Sequence, residues 1–328
     1  MPQTDELRTR LFSEYPCQIL SLDRSFVRYI EQENPAGKIW FKKPRDTNIV
    51  LSVIIPTSDA YRNGYFPRLL NQIEQQTFRE YELIVVKGDN RQGRAINFGA
   101  ALAEGKYLMT LDDDTSLPDC GTFSKMVAVM EGYPDIGIAG GNNVIPPKAS
   151  PFMRRVMQQI PRRSWDPVEE ITDSDLAEHP CMILRADTFR LVGGENELIP
   201  RGLDPYLRQE FRNRGKRVVV VPGVIYHHLP PDNFKKLMRQ FHHNGRQARY
   251  VNHHHQRWVL ETPPTHGSFQ IRVPFPRRML RFIKNVLKAF FTGKFILCVA
   301  EICYMLGFVQ EWLFPEDVNK KRYLKSVK

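Results

Sequence analysis

"IVLSVIIP" (residues 49–56) is a near-continuous apolar run, rich in β-branched residues and closed by Pro56. A strand with one wet face alternates apolar and polar residues, whereas an unbroken run marks a strand buried on both faces. "YELIVVKGD" (81–89) and "KYLMTL" (106–111) repeat the pattern. Between the first two, "YFPRLLNQIEQQT" (65–77) sets Phe66, Leu69, Leu70 and Ile73 at helical spacing. "GRAINFGAALAEG" (93–105) predicts a second helix with Gly105 as its C-cap. "TFSKMVAVMEG" (122–132) predicts a third helix, and "DIGIAGG" (135–141) a fourth strand. This alternation predicts an α/β fold: a mostly parallel, Rossmann-like sheet with helices on both faces.

In such sheets ligands bind beyond the carboxyl ends of the strands. Those ends carry Pro56–Thr57, Lys87–Asp89 and three successive acids, Asp112, Asp113 and Asp114. Like charges crowded at the end of a buried strand repel, and desolvation sharpens the repulsion. One reading is a solvated acidic turn. An EF-hand calcium loop is excluded, because its positions 6 and 12 hold Leu117 and Phe123 instead of Gly and Glu. The other reading is a carboxylate pair that holds Mg²⁺ or Mn²⁺ against a diphosphate, since hard cations take oxygen ligands. The neighbouring loop "VVKGDNRQGRAIN" (85–97) favours the latter. Lys87, Arg91 and Arg94 bring positive charge, glycines allow close backbone approach, and the following helix presents its N-terminus to an anion. The loop is neither a Walker A sequence nor GxGxxG.

Of 328 residues, 42% are hydrophobic and 25% charged, an ordinary globular composition. Lys+Arg 47 against Asp+Glu 36 leaves a formal net charge of +11, which favours an anionic partner. Cysteines 17, 120, 181, 298 and 303 form no CxxC pair, a pattern that suits a reducing compartment. The opening "MPQTDELRTRLF" has no signal-peptide core. Residues 1–48 read as an N-terminal extension with a helix-like stretch near 22–32 and an extended "KIWFKKP" (38–44).

"LSVIIPT", "YELIVVKGD", "INFGAALAEGKYLMTLDDDT" and "LVGGENE" together resemble the inverting family 2 glycosyltransferases of the GT-A fold, from about Ile49 to Gly245. Under this resemblance the LDDD run corresponds to the family's D-x-D motif. It implies a catalytic domain over 49–250, with a nucleotide-sugar half (49–145) and an acceptor half (146–250). Asp112 and Asp113 would face the ribose and phosphates of a nucleoside-diphosphate sugar, and Asp114, with Asp112, the Mn²⁺ or Mg²⁺. Pro56, Thr57, Lys87, Asp89 and Arg94 would lie around the nucleotide. Lys87 departs from the pattern, because the family usually has an acid just after the second strand.

The acceptor half adds a strand, a short helix and a glycine turn in "CMILRADTFRLVGG" (181–194), and a returning strand in "RVVVVPGVIYH" (217–227). Leu203, Leu207 and Phe211 line one helical face between them. Inverting transfer needs a carboxylate to take the proton of the acceptor hydroxyl. The family supplies it from a Glu-Asp pair at the start of this helix; here the pair reads Leu203–Asp204, which makes Asp204 the candidate base. Asp followed by Pro at a helix start is also a good N-cap, so both roles stand. Glu195 and Glu197 are fallback bases. His228 ends the returning strand and is either a structural histidine or a further metal ligand. The clusters His242–His243 and His253–His255 read as a polar helix face and its end. The family's processive synthases carry Q-x-x-R-W; "QRW" (256–258) lacks that spacing, which implies a non-processive enzyme.

Residues 251–328 are basic and apolar. "FPRRMLRFIKNVLKAFFTGK" (275–294) predicts an amphipathic helix with Leu280, Ile283, Leu287 and Phe290/Phe291 on one side, of the kind that lies on an anionic membrane surface. "FILCVAEICYMLGFVQEWLF" (295–314) is long enough to span a bilayer but carries Glu301, Gln310 and Glu311. Packing on the catalytic domain, interfacial attachment and a true span are the three readings. Attachment would suit a lipid-linked or surface-glycan acceptor at the cytoplasmic face of a membrane. Two other classes compete with the transferase. A sugar-nucleotide pyrophosphorylase needs a Gly-rich basic loop after the first strand, and "PTSDAYRNGYFP" (56–67) is not clearly one. A non-catalytic basic protein binding nucleic acid or anionic lipid would make no use of the acids; a nucleic-acid partner is not expected.

Overall fold

The computed structural model describes residues 18–21, 38–42, 48–89, 91–260, 265–267 and 274–315. Strands β1 (Gln18–Ser21) and β2 (Lys38–Lys42) come first. The helix expected near 22–32 lies outside the described residues. β3 (Leu51–Thr57) leads through a 3-10 turn to α1 (Tyr65–Glu74), and β4 (Tyr81–Lys87) to α2 (Gln92–Leu102). β5 (Tyr107–Leu111) is followed by the short β6 (Thr115–Ser116), α3 (Thr122–Gly132) and β7 (Ile136–Asn143). α4 (Pro151–Gln159), β8 (Thr172–Asp173), β9 (Cys181–Arg185), α5 (Ala186–Leu191), α6 (Leu203–Asn213) and β10 (Arg217–His228) build the second half. α7 (Phe234–His254), α8 (Phe275–Phe291) and α9 (Phe295–Leu313) follow.

The strands form one sheet in the order β1-β2-β4-β3-β5-β9-β7-β10-β6, with β8 beside β10. β4, β3, β5, β7 and β10 all run the same way, as the alternating pattern predicts, and β9 is the reversed strand inserted among them. β3 shows why its sequence has no polar phase. Val53 and Ile55 enter the core cluster that holds Phe66, Leu69 and Phe123 of α1 and α3. Ile54 enters the opposite one, with Ile96, Phe189 and Phe211 of α2, α5 and α6. All three β3 residues are fully buried.

One expectation is corrected. α2 ends at Leu102 with Ala103 in an extended conformation, so Gly105 is not its C-cap. A Cβ at Gly105 would lie 2.7 Å from the Ser52 backbone nitrogen; close approach to β3 is what requires glycine there. Before residue 49, β2 pairs antiparallel with β4 and carries β1 at the sheet edge. α7 continues past residue 250 to His254.

α9 lies along α7. A Cβ on Gly307 would sit 1.9 Å from the His242 carbonyl oxygen, and one on Gly245 would sit 1.8 Å from that of Tyr304, so both glycines are needed for this approach. Arg246 on α7 holds buried Glu311 on α9 at 2.7 Å. The expected apolar stripe on α8 is present and faces outward: Leu280 is 68% exposed and Phe291 80%.

Candidate active site

Strand ends place the acids. β5 stops at Leu111, and a turn closed by Thr115 N–H donating to the Asp112 carbonyl at 3.0 Å folds the three aspartates back over the sheet edge. β6 then pairs antiparallel with the end of β10, setting Thr115 opposite His228. This pairing brings the histidine to the acids. His228 Nε2 lies 3.1 Å from Asp114 Oδ1 and 3.7 Å from Asp112 Oδ2. One ligand atom from each of Asp112, Asp114 and His228 lies within 4.8 Å of the others.

Asp113 turns the other way and accepts from Thr57 Oγ1 at 2.7 Å, tying the end of β3 to the end of β5. Asp112 accepts from Gln92 at the start of α2, at 2.8 Å. Asp89 and Arg94 form a bidentate pair at 2.6 and 2.7 Å, which shapes the loop between β4 and α2. Lys87 is buried at the end of β4, in register with Thr57. Pro56 precedes Thr57 on the same strand. Arg91 is turned away from the acids and donates to the Glu197 and Leu198 carbonyls, which joins the two halves of the crevice.

The charges do not balance without help. Burial, reinforced by the Asp114 charge, raises Asp113 to about 7. Burial also raises Asp112 to about 6, against the pull of His228. For Asp114, burial is overcome by His228 and Arg62, which hold its carboxyl well below the usual range. Two of three neighbouring acids are thus driven toward protonation near neutrality, and a divalent cation would relieve that excess. The donor set fits such an ion: two carboxylate oxygens and an imidazole nitrogen suit Mn²⁺, and carboxylates suit Mg²⁺.

Sequence reasoning missed Arg62. Its guanidinium donates to Asp114 Oδ2 at 2.8 and 3.1 Å and reaches Asp113 Oδ1 at 3.5 Å. The loop that aims it holds Ala60, Arg62 and Asn63 at positive φ, a conformation that ordinary side chains rarely adopt, and no glycine announces it before Gly64. His179 was missed too. It is buried, its Nε2 pairs with Glu195 at 2.9 Å, and its Nδ1 meets Thr110 Oγ1 at 3.1 Å. Although burial opposes it, the charges of Asp204 and Glu195 raise this histidine to about 9. Neither residue belongs to a periodic pattern that would have exposed it.

Asp204 sits in the first turn of α6, as expected, but it does not cap its own helix: Gly202 is the N-cap and makes no side-chain cap bond. Its Oδ1 accepts the His179 backbone N–H at 2.8 Å. Burial acts to raise its pKa, yet His179 and Arg208 prevail and hold it below the usual range. His179 in turn meets Thr110 of β5, two residues before Asp112, which links the candidate base to the strand that carries the acids. The fallback acids are occupied. Glu195 pairs with His179, and Glu197 accepts from Asn97 at 2.7 Å. The histidines at 253 and 254 lie exposed at the end of α7, and no zinc-type set is present among the described residues.

A single mixed sheet with helices on both faces and an acid cluster closing β5 is the architecture of the GT-A fold. Residues 87–188 match the model of glycosyl transferase family 2. Over nearly the whole length the fold is that of the mannosyltransferase PcManGT from Pyrobaculum calidifontis, solved with GDP-Man and Mn²⁺. The TM-score is 0.52 at 12% identity, covering 96% of this chain and 99% of that one. TarS from S. aureus aligns over 81% of this chain and 92% of its own, at 12% identity and a TM-score of 0.43. No curated protein is similar enough to be matched.

Proposed function

We propose that the protein transfers a sugar from a nucleoside-diphosphate sugar to a hydroxyl on a lipid-linked or surface glycan, with inversion at the anomeric carbon, assisted by Mn²⁺ or Mg²⁺. The observation that carries this is the meeting of Asp112, Asp114 and His228 at the end of β5, the strand to which His179 joins Asp204. Asp114, Asp112 and His228 would hold the ion, which supplies charge neutralisation to the departing diphosphate. Thr57 orients Asp113 toward the ribose and phosphates. Asp89, locked by Arg94, sits where the base and ribose are read. Lys87, in place of the family's usual acid, makes base recognition atypical.

Asp204 acts as general base. It is ionised at neutral pH, and the His179 N–H fixes Oδ1, which leaves Oδ2 to receive the acceptor proton. Arg257 stacks on Trp258 in a 3-10 turn (4.3 Å to the ring centroid) without the Q-x-x-R-W spacing, which supports addition of one or few sugars.

The C-terminal helices attach the enzyme to the cytoplasmic face of an anionic membrane without spanning it. α9 is long and apolar enough to cross a bilayer. However, it is bound along α7, a helix rich in Lys, Arg and His, through the two glycine contacts and the Arg246–Glu311 pair. A helix held this way cannot leave the domain to enter lipid without stranding Glu311. Its outer residues, Ile302, Leu306 and Trp312, and the α8 stripe remain exposed. An apolar surface this extensive suits an interface, and Arg277, Lys284 and Lys288 suit anionic headgroups.

A thermal-shift panel of nucleoside diphosphates with and without Mn²⁺ tests the reading, because a ligand of the folded state raises the melting temperature by mass action. One nucleotide is expected to give a shift that needs the metal. Shifts that are equal with and without Mn²⁺ for every nucleotide would rule out a metal-bridged donor.

A further inference from the structure

Between α7, α8 and α9 lies a cavity of about 460 Å³, within the size range of small-molecule sites. Its wall includes Arg201 and Gly202, the residues that lead into α6 and so to Asp204 two positions on. Arg278 and Arg281 from α8 add two more cations, and Glu301 from α9 is the acid among the lining residues. Arg278 is steadied by a hydrogen bond to Asn252, and Arg201 lies over the Tyr304 ring at 5.9 Å. The remaining wall is largely aromatic and aliphatic, with Phe241, Trp258, Phe282 and Phe308. Burial also pushes the Glu301 carboxyl up, against Arg201 and Arg281, which strengthens the positive balance.

Guanidinium groups recognise phosphate by paired, charge-assisted hydrogen bonds, whereas aromatic walls receive hydrocarbon. The same two helices carry the exposed apolar ridge of Leu280, Ile283, Leu287, Ile302 and Leu306. A neutral glycan would use neither feature.

We propose that this cavity binds the phosphate-bearing head of a lipid acceptor, with the hydrocarbon chain laid along the α8–α9 ridge and the accepting hydroxyl presented to Asp204. The proposal rests on the glycosyltransferase reading above and names its acceptor class. In the step, the acceptor oxygen forms a bond to the anomeric carbon while the bond from that carbon to the diphosphate breaks. The hydroxyl proton passes to Asp204, and the nucleoside diphosphate leaves with the electron pair.

The test uses the full chain and monomeric short-chain lipids, read by the fluorescence of Trp258 in the cavity wall, with Trp258→Phe identifying the signal. Dihexanoylphosphatidylglycerol, which carries both phosphate and hydroxyls, is expected to bind saturably and at least tenfold more tightly than dihexanoylphosphatidylcholine or inorganic phosphate. The double variant Arg278→Gln/Arg281→Gln is expected to weaken that binding at least tenfold while the nucleotide–Mn²⁺ thermal shift is kept. Should the double variant lose that shift through misfolding, Met305→Trp, which fills the cavity, is expected to give the same loss of lipid binding. Equal binding of the two lipids, binding of inorganic phosphate as tight as that of the anionic lipid, or no effect of the variants would overturn the proposal. A wild-type chain with no nucleotide–Mn²⁺ shift but selective anionic-lipid binding would instead sink the glycosyltransferase reading and leave the anionic-lipid site standing.

Discussion

Asp204 is held as an anion by a backbone N–H and a buried imidazolium, and each consequence is measurable. Asp204→Asn is expected to lower kcat by roughly 10²–10⁴-fold, the usual worth of a general base, with nucleotide–Mn²⁺ binding intact. Full turnover would remove it from the mechanism. His179 gives a pH signature. Its folded value, about 9, is above that of an unfolded histidine, about 6.5, so its stabilising contribution is complete below the latter and is lost as pH rises through the former. Melting temperature should therefore fall between those two pH values, and His179→Gln should flatten the slope; a wild-type profile that stays level would contradict this. Arg62 occupies an oxygen of Asp114 that a metal would use. Arg62→Ala is expected to tighten Mn²⁺ binding about tenfold in the absence of nucleotide, the effect of removing about 1.4 kcal/mol of competing interaction. Weaker binding, read by Mn²⁺ electron paramagnetic resonance, would show that Arg62 helps to hold the ion instead. At this scale the acids were legible because a strand runs straight into them. Arg62 and His179 were not, because only folding brings Arg62 to Asp114, 52 positions away in sequence, and His179 to Thr110, 69 positions away.

Elements were legible where period and burial agree. The helix over 122–132 has the residue range that its apolar spacing predicts, and β3 and β5 are buried on both faces as unbroken runs require. The sequence period shows that α8 has an apolar side, but not whether the protein covers it; only the packing reveals that it does not. Gly105 misled for a related reason, since a glycine after a helix is a stop signal unless another strand passes close by. The α7–α9 crossing belongs to this scale. Gly307→Ile would drive a side chain into the His242 carbonyl, and overpacking of this kind costs about 1–3 kcal/mol. The expected outcome is a lower melting temperature and faster proteolysis between α8 and α9. Unchanged protection would mean that α9 is not bound along α7.

Across the whole molecule, the candidate site draws on residues from Thr57 to His228, on strands whose order in the sheet differs from their order in the chain. The alternating pattern predicts a parallel sheet and where its ligand lies, but not that β9 runs backward through the middle or that β2 closes the edge beside β4. The net charge of +11 favours anionic partners, and α8 and α9 turn an apolar ridge outward, away from the sheet that carries the acids. The claim on which the rest depends is a divalent ion bridging Asp112, Asp114 and His228 to a diphosphate. Its most direct measurement is Mn²⁺ electron paramagnetic resonance of the wild-type protein and of Asp114→Ala, each with a saturating nucleoside diphosphate. One bound Mn²⁺ with coupling to phosphorus in the wild type, absent in Asp114→Ala, is the predicted result; equal Mn²⁺ binding by both proteins would contradict the account.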